Sequence, residues 1–274
     1  MKIISLIFLM TSVILVTGCA TTTNSSLSGV DRSQFLMLPA SSVVTMSGQA
    51  YNETLEKAKT AKTLNTDPAM LKRITTISNK LIAQVGIFRA DAPQWAWEVN
   101  VEKNEQLNAY CMPGGKIMVY SGLVEKIDAT DDELAAVIGH EIAHALREHG
   151  REQMSQAYVQ QYGIQALATL AGDGVTGVLA TQGAQLGSQL FFALPNSREH
   201  EREADRIGLE LAARAGYNPN AAVTLWQKMT TQNPASPPEF LSTHPASQNR
   251  ISDLQALAPK VMPLYDAAIT SHGK

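Results

Sequence analysis

Cysteine is nearly missing from this chain. Only Cys19 and Cys111 occur among 274 residues, which excludes a scaffold held by several disulfides. A basic excess is missing too: 22 Lys and Arg stand against 25 Asp and Glu, a net charge of -3. A nucleic-acid surface needs a basic stripe, so no nucleic-acid partner is expected. No long block of one charge sign and no extended low-complexity tract appears. Uninterrupted apolar runs of membrane-spanning length are absent as well. The run Ile3 to Val16 is too short, and Gln165, Asp173, Gln182, Gln185 and Gln189 break up residues 153–194. What remains is an ordinary globular balance, 45% hydrophobic and 17% charged, long enough to bury a core.

The run Ile3 to Val16 follows Lys2 and has the form of a secretory leader. It ends in Val16-Thr17-Gly18-Cys19, which resembles the lipobox of bacterial lipoproteins. That resemblance implies cleavage before Cys19 and acylation of Cys19, a membrane anchor. Residues 1–18 are then a signal peptide, and residues 19–48 an acylated cysteine with a flexible tether. Ala20–Gly29 is small and polar, which suits a tether. Ala20 stands where an Asp would signal retention in the inner membrane, so the resemblance implies the outer membrane, facing the periplasm. Cys111, left without an intramolecular partner, reads as a small buried hydrophobe.

Residues 49–274 show no internal boundary. Helices are predicted from about Gln49 to Lys62 and from Pro68 to Val85, the second opened by the Asp67-Pro68 pair. Trp95 to Val101 alternates and reads as a strand, followed by Leu107–Met112, a Pro113-Gly-Gly turn and Lys116–Tyr120, a short meander. Thr130-x-x-Glu133 is a capping box opening a helix that should run to Gly150 as its C′ residue. Two helices packed through small residues are expected in 153–194, another from Ser197 to Ala215, and a loop at Pro234, Pro237 and Pro238.

Inside the capped helix lies His140-Glu141-Ile142-Ala143-His144. A spacing of four puts both imidazoles on one helix face, where they can grip one zinc ion. Glu141, next along the helix, can reach a metal-activated water without occupying the metal. Chance would produce this motif in fewer than about one in a hundred chains of this composition. A catalytic zinc needs a third protein ligand and an open position. On the helix beginning at Ser197, Glu201 and Asp205 share a face with Ala204, Gly208, Leu211, Ala212 and Ala215. Carboxylates on a core-facing stripe need positive compensation, which a zinc held by Glu201 and an imidazole oriented by Asp205 would provide. Glu199, Glu203 and Glu210 point the other way and read as a solvated edge. His149, His200 and His272 have no partner spacing and read as surface residues.

These features resemble the HtpX and Oma-type zinc metallopeptidases of the gluzincin group. They are the H-E-x-x-H helix, the Ser197-Arg-x-x-Glu201-x-Glu-Ala-Asp205 helix and the segment Asn108-Ala-Tyr-Cys-Met-Pro113 to Tyr120. Together they cover about Leu71 to Leu254, and within the group they resemble the bacterial outer-membrane lipoprotein peptidases. The resemblance implies an α+β, mainly α-helical zincin-like core with a small antiparallel sheet packed on the H-E-x-x-H helix. It implies one Zn2+ per chain held by His140, His144 and Glu201, with Glu141 as general base and Asp205 behind a ligand. It further implies that His244, before Pro245, either hydrogen-bonds the transition-state oxyanion or fills the open zinc position in a latent form, with Arg250 behind it. A loop histidine stacked ahead of a helix-starting proline is the other reading of His244. Asn108, Ala109 and Tyr110 would hold an extended polypeptide on an edge strand. Unfolded or misassembled envelope proteins are the expected substrates. A zinc-binding chaperone or assembly factor without obligatory proteolysis is the alternative.

Overall fold

The computed structural model describes residues 19–170, 196–231, 239–245 and 247–272. The signal-peptide reading, most of the two small-residue helices and the Pro234–Pro238 loop lie outside those residues. The elements in chain order begin with β1 (Cys19–Ala20), β2 (Gln34–Phe35), α1 (Ala40–Thr60), α2 (Pro68–Ile82), β3 (Glu98–Glu102), β4 (Ala109–Met112) and β5 (Lys116–Tyr120). They continue with α3 (Ser121–Glu125), α4 (Asp131–Leu146), α5 (His149–Leu170), α6 (Arg198–Arg214), α7 (Ala221–Thr231), α8 (Glu239–Thr243) and α9 (Gln248–His272). The fold is α+β and mainly helical, as a zincin-like core requires. Among the described residues no helix is long and apolar enough to cross a membrane.

The sheet is mixed and not antiparallel: its order is β3-β5-β4, with β5 parallel to β3 and antiparallel to β4. A meander would have centred β4. The Ile117-Met118-Val119 run of β5 is buried on both faces, and such a strand belongs in the middle of a sheet. The loop after β3 therefore carries the chain past that place, and β4 forms an edge. Tyr120 N donates to Asn108 O and Gly115 N to Met112 O, both on the β5 side. Alternation leaves the main-chain groups of Ala109 and Cys111 on the outer edge.

Helix α4 opens on Thr130, whose capping box with Glu133 is fully formed. Every residue from Glu133 to Leu146 is buried, so this helix is the spine of the core. It stops earlier than Gly150. Glu148 takes the left-handed conformation, φ 51°, that glycine usually supplies. Arg89 and Arg151 hold its carboxylate at 2.6 and 2.5 Å. That tight corner starts α5 at His149. Helix α6 crosses α4 where two glycines meet: a methyl on Gly208 would lie 2.7 Å from His140 N. No larger residue permits that approach.

The segment after Cys19 is not a free tether. β1 pairs with β2, Thr23 and Ser28 are buried, and Ser28 N donates to Glu210 Oε2 at 2.7 Å. Its small polar side chains reach charged groups that the helices leave uncovered. Helix α1 likewise starts nine residues before Gln49, because Val43, Met46 and Ser47 pack inward where local propensity is weak.

Candidate active site

Four buried side chains converge: His140 and His144 from α4, Glu201 from α6, and His244 just after α8. Their ligand-type atoms all lie within 4.8 Å of one another. His140 Nε2 is 3.1 Å from His144 Nε2 and 3.5 Å from Glu201 Oε2; His144 Nε2 is 3.3 Å from Glu201 Oε1. His244 Nδ1 lies 2.9 Å from Glu201 Oε1 and 3.3 Å from His140 Nε2, and its ring stacks on Phe240 at 4.4 Å. His244 thus both stacks on Phe240 and belongs to the cluster, while Pro245 starts no helix, since α9 begins at Gln248.

The outer nitrogens decide what the inner ones offer. His140 Nδ1 faces Asp205 Oδ1 at 3.0 Å, so Nδ1 keeps a proton and Nε2 is the nitrogen on which a second proton or a metal ion would sit. His144 Nδ1 lies 2.9 Å from His149 Nδ1, while His149 Nε2 lies 2.9 Å from Glu203 Oε2. A carboxylate only accepts, so His149 donates through Nε2 and accepts from His144 through Nδ1. His144 Nε2 is then bare. A positive charge, a proton on His140 Nε2 or a metal ion in its place, is needed beside the His144 lone pair and the carboxylate, and the donor set of two imidazoles and one carboxylate suits zinc.

Arg250 supports both acidic residues. Its Nε and Nη2 donate to Asp205 at 2.6 and 2.7 Å, its Nη1 lies 2.7 Å from Glu201 Oε2, and its guanidinium rests on the Trp226 ring at 4.0 Å. Glu141 lies beside the four converging residues without joining them. Its Oε1 is buried without a hydrogen bond among the described residues, 3.5 Å from His244 Nε2, and burial raises its pKa. The cleft over it is lined by Asn108, Ala109 and Tyr110 of the β4 edge, and by Asn196 and Thr243. Tyr110 sends its ring to the opposite face, edge-on to Tyr51 and Tyr120. Cys111 is buried, and burial pushes its thiol well up.

His149, His200 and Glu203 are not at the surface; they are buried, and so is Glu210. Of the face of α6 assigned to solvent, Glu199 is exposed, whereas Glu203 and Glu210 are covered by the segment after Cys19. The missed signal is a repeated spacing, His149-x-x-Glu152 and His200-x-x-Glu203. The two pairs cross, His149 to Glu203 at 2.9 Å and His200 to Glu152 at 3.1 Å, with the rings stacked at 4.4 Å.

These environments set a pH optimum for the metal-free fold. Burial lowers His149 from 6.5 to about 3 despite Glu203. Burial opposes charge on Glu203 too, but His149, Arg32 and Arg147 hold it down to about 2. Depressed values add stability that is lost as pH falls, from about 6.5 for His149 and from 4.5 for Glu203. Burial also opposes charging of His140, but Asp205 and Glu201 raise it to about 9, which adds stability lost as pH rises above 6.5. Thermal melts of metal-stripped protein should therefore peak near pH 6.5. A monotonic rise of Tm from pH 5 to 9 would contradict these assignments.

The model of peptidase family M48 matches residues 68–258, a span that contains the whole cluster. The chain belongs to peptidase family M48. Its M48 relatives include mitochondrial metalloendopeptidase OMA1 of Saccharomyces cerevisiae, 35% identical over 62% of this chain and 49% of the relative. The beta-barrel assembly-enhancing protease of Yersinia pestis is 34% identical over 72% of this chain and 40% of the relative. Metalloprotease LoiP of Escherichia coli is 31% identical over 93% of this chain and 96% of the relative. The chain spans about half or less of the first two and nearly all of the third. It carries the domain of a metalloendopeptidase.

Proposed function

We propose that this M48 chain is a zinc-dependent endopeptidase of the bacterial cell envelope, acting on unfolded or misassembled proteins. The observation that carries the reading is the convergence of two imidazole Nε2 atoms and the Glu201 carboxylate on one point, with Glu141 beside it. His140, His144 and Glu201 would hold the ion. Bound there, zinc supplies Lewis-acid activation of a water and of the scissile carbonyl.

The chain's own residues do the rest. Glu141 takes a proton from the attacking water and returns it to the leaving amine, a role that suits a carboxyl whose pKa burial has raised. Asp205 keeps the proton of His140 on Nδ1, and Arg250 anchors Asp205 and Glu201 together. His244, 3.5 Å from Glu141 and 2.9 Å from Glu201, would hydrogen-bond the carbonyl oxygen as charge develops, or fill the open metal position in a latent form. The outer edge of β4 offers the main-chain carbonyl of Ala109 and the main-chain groups of Cys111 to an extended peptide, with the Ala109 N–H capped by Asn108 Oδ1 at 2.9 Å. Such contacts read backbone and not sequence, which favours unfolded clients. The lipobox-like Cys19 would tether the domain to a membrane, with the outer membrane as the site, and one relative is named for β-barrel assembly.

The test uses the full chain purified without chelator. One equivalent of zinc and digestion of casein are expected, with digestion abolished by a strong chelator and restored by added zinc. Digestion that persists in metal-stripped protein would refute the proposal.

A further inference from the structure

The covered face of α6 has a purpose that the hydrogen bonds trace. Glu203, which orients His149 and through it His144, is itself gripped by arginines from two directions. Arg147 Nε and Nη2 each lie 3.1 Å from its Oε2. Arg32 comes from the segment after Cys19: its Nε donates to Glu203 Oε1 at 2.8 Å, and its Nη1 and Nη2 donate to Glu152 at 2.7 and 2.8 Å. Glu152 in turn takes His200. One guanidinium thus bridges both crossed His–Glu pairs.

The rest of the segment is docked to the same elements. Gln34 Nε2 donates to Arg147 O at 2.6 Å and to Glu152 Oε2 at 2.9 Å, Arg147 Nη2 donates to Arg32 O at 2.9 Å, and Arg206 Nη1 donates to Ser28 O at 3.1 Å. Arg147 is fully buried beneath it. A cover that merely shielded apolar surface would not need this matched set of charged bonds.

We propose that residues 21–34 are a positioning strap of the metal centre, in which Arg32 acts through Glu203 and His149 to present His144 with Nε2 bare. Residues behind a metal ligand tune affinity by fixing its ring and tautomer. Strap docking and metal binding are then linked, each strengthening the other. The inference rests on His144 being a zinc ligand, as proposed above. Arg32 touches no reacting atom and is a positioning residue.

The test compares full-length protein with Arg32→Ala. Chelator competition should show zinc bound about 10- to 100-fold more weakly in the variant, while circular dichroism shows its zinc-free form still folded. Hydrogen exchange of residues 21–34 should slow when zinc is added to the unaltered protein. Imidazole nitrogen shifts of the unaltered, zinc-free protein should show His144 protonated at Nδ1, and this measurement holds even where the variant fails to fold. A folded Arg32→Ala variant with zinc affinity within twofold of the parent overturns the strap alone. So does a His144 protonated at Nε2. Parent-like zinc binding by His144→Ala overturns the ligand assignment, and the strap falls with it.

Discussion

Glu141→Gln is expected to keep its zinc and lose kcat by about 10²- to 10⁴-fold, the range a positioned general base contributes. The amide matches the carboxyl in shape and removes only its capacity to take a proton. Glu141 is not one of the four residues whose ligand-type atoms converge, so metal binding should be little changed. Its burial among His244, His140 and Arg250 means that a neutral amide adds no new unpaired charge. Parallel zinc analysis and peptide turnover settle the matter. Undiminished kcat would assign the base elsewhere, and lost zinc would make Glu141 a ligand. Retained biological function with no turnover would favour the chaperone reading.

Asp205→Asn should weaken zinc binding about 10- to 100-fold, because the partner that keeps the His140 proton on Nδ1 loses its charge. It should also cost the metal-free fold about 3 kcal/mol, the lower end of what breaking a buried ion pair costs. The lower end applies because Arg250 keeps Glu201 at 2.7 Å and the Trp226 ring at 4.0 Å. Chelator competition gives the first quantity and urea unfolding of stripped protein the second. A variant as stable as the parent would mean that Arg250 is balanced by Glu201 alone.

Both predictions start from residues legible in the bare sequence, for a physical reason. His140, Glu141 and His144 declare themselves through helical spacing, and Glu201 and Asp205 through carboxylates on an apolar stripe. Each signal lies within one turn or one face of one helix. The Thr130 capping box and the Asp67-Pro68 helix start are local in the same sense, and both form. The crossed pairs were not legible, because His149 and Glu203 find each other only after α4, α5 and α6 are packed. A helical wheel gives the angle of Glu203 but not what covers it, and its cover comes from Arg32, 171 residues away in the chain. The sheet failed for a related reason. Alternation and turns identify strands, whereas their order depends on which strand is buried on both faces.

The glycine crossing of α4 and α6 has one more consequence. A protease must survive its own synthesis without cutting itself or its neighbours. Here the converging side chains His140 and His144, and Glu201, come from helices about sixty residues apart in the chain, brought together only when Gly208 seats against the backbone of His140. A half-made chain has the motif but no scissors. Assembly of the cluster is thus a late event of folding, set by the seating of one helix on the other.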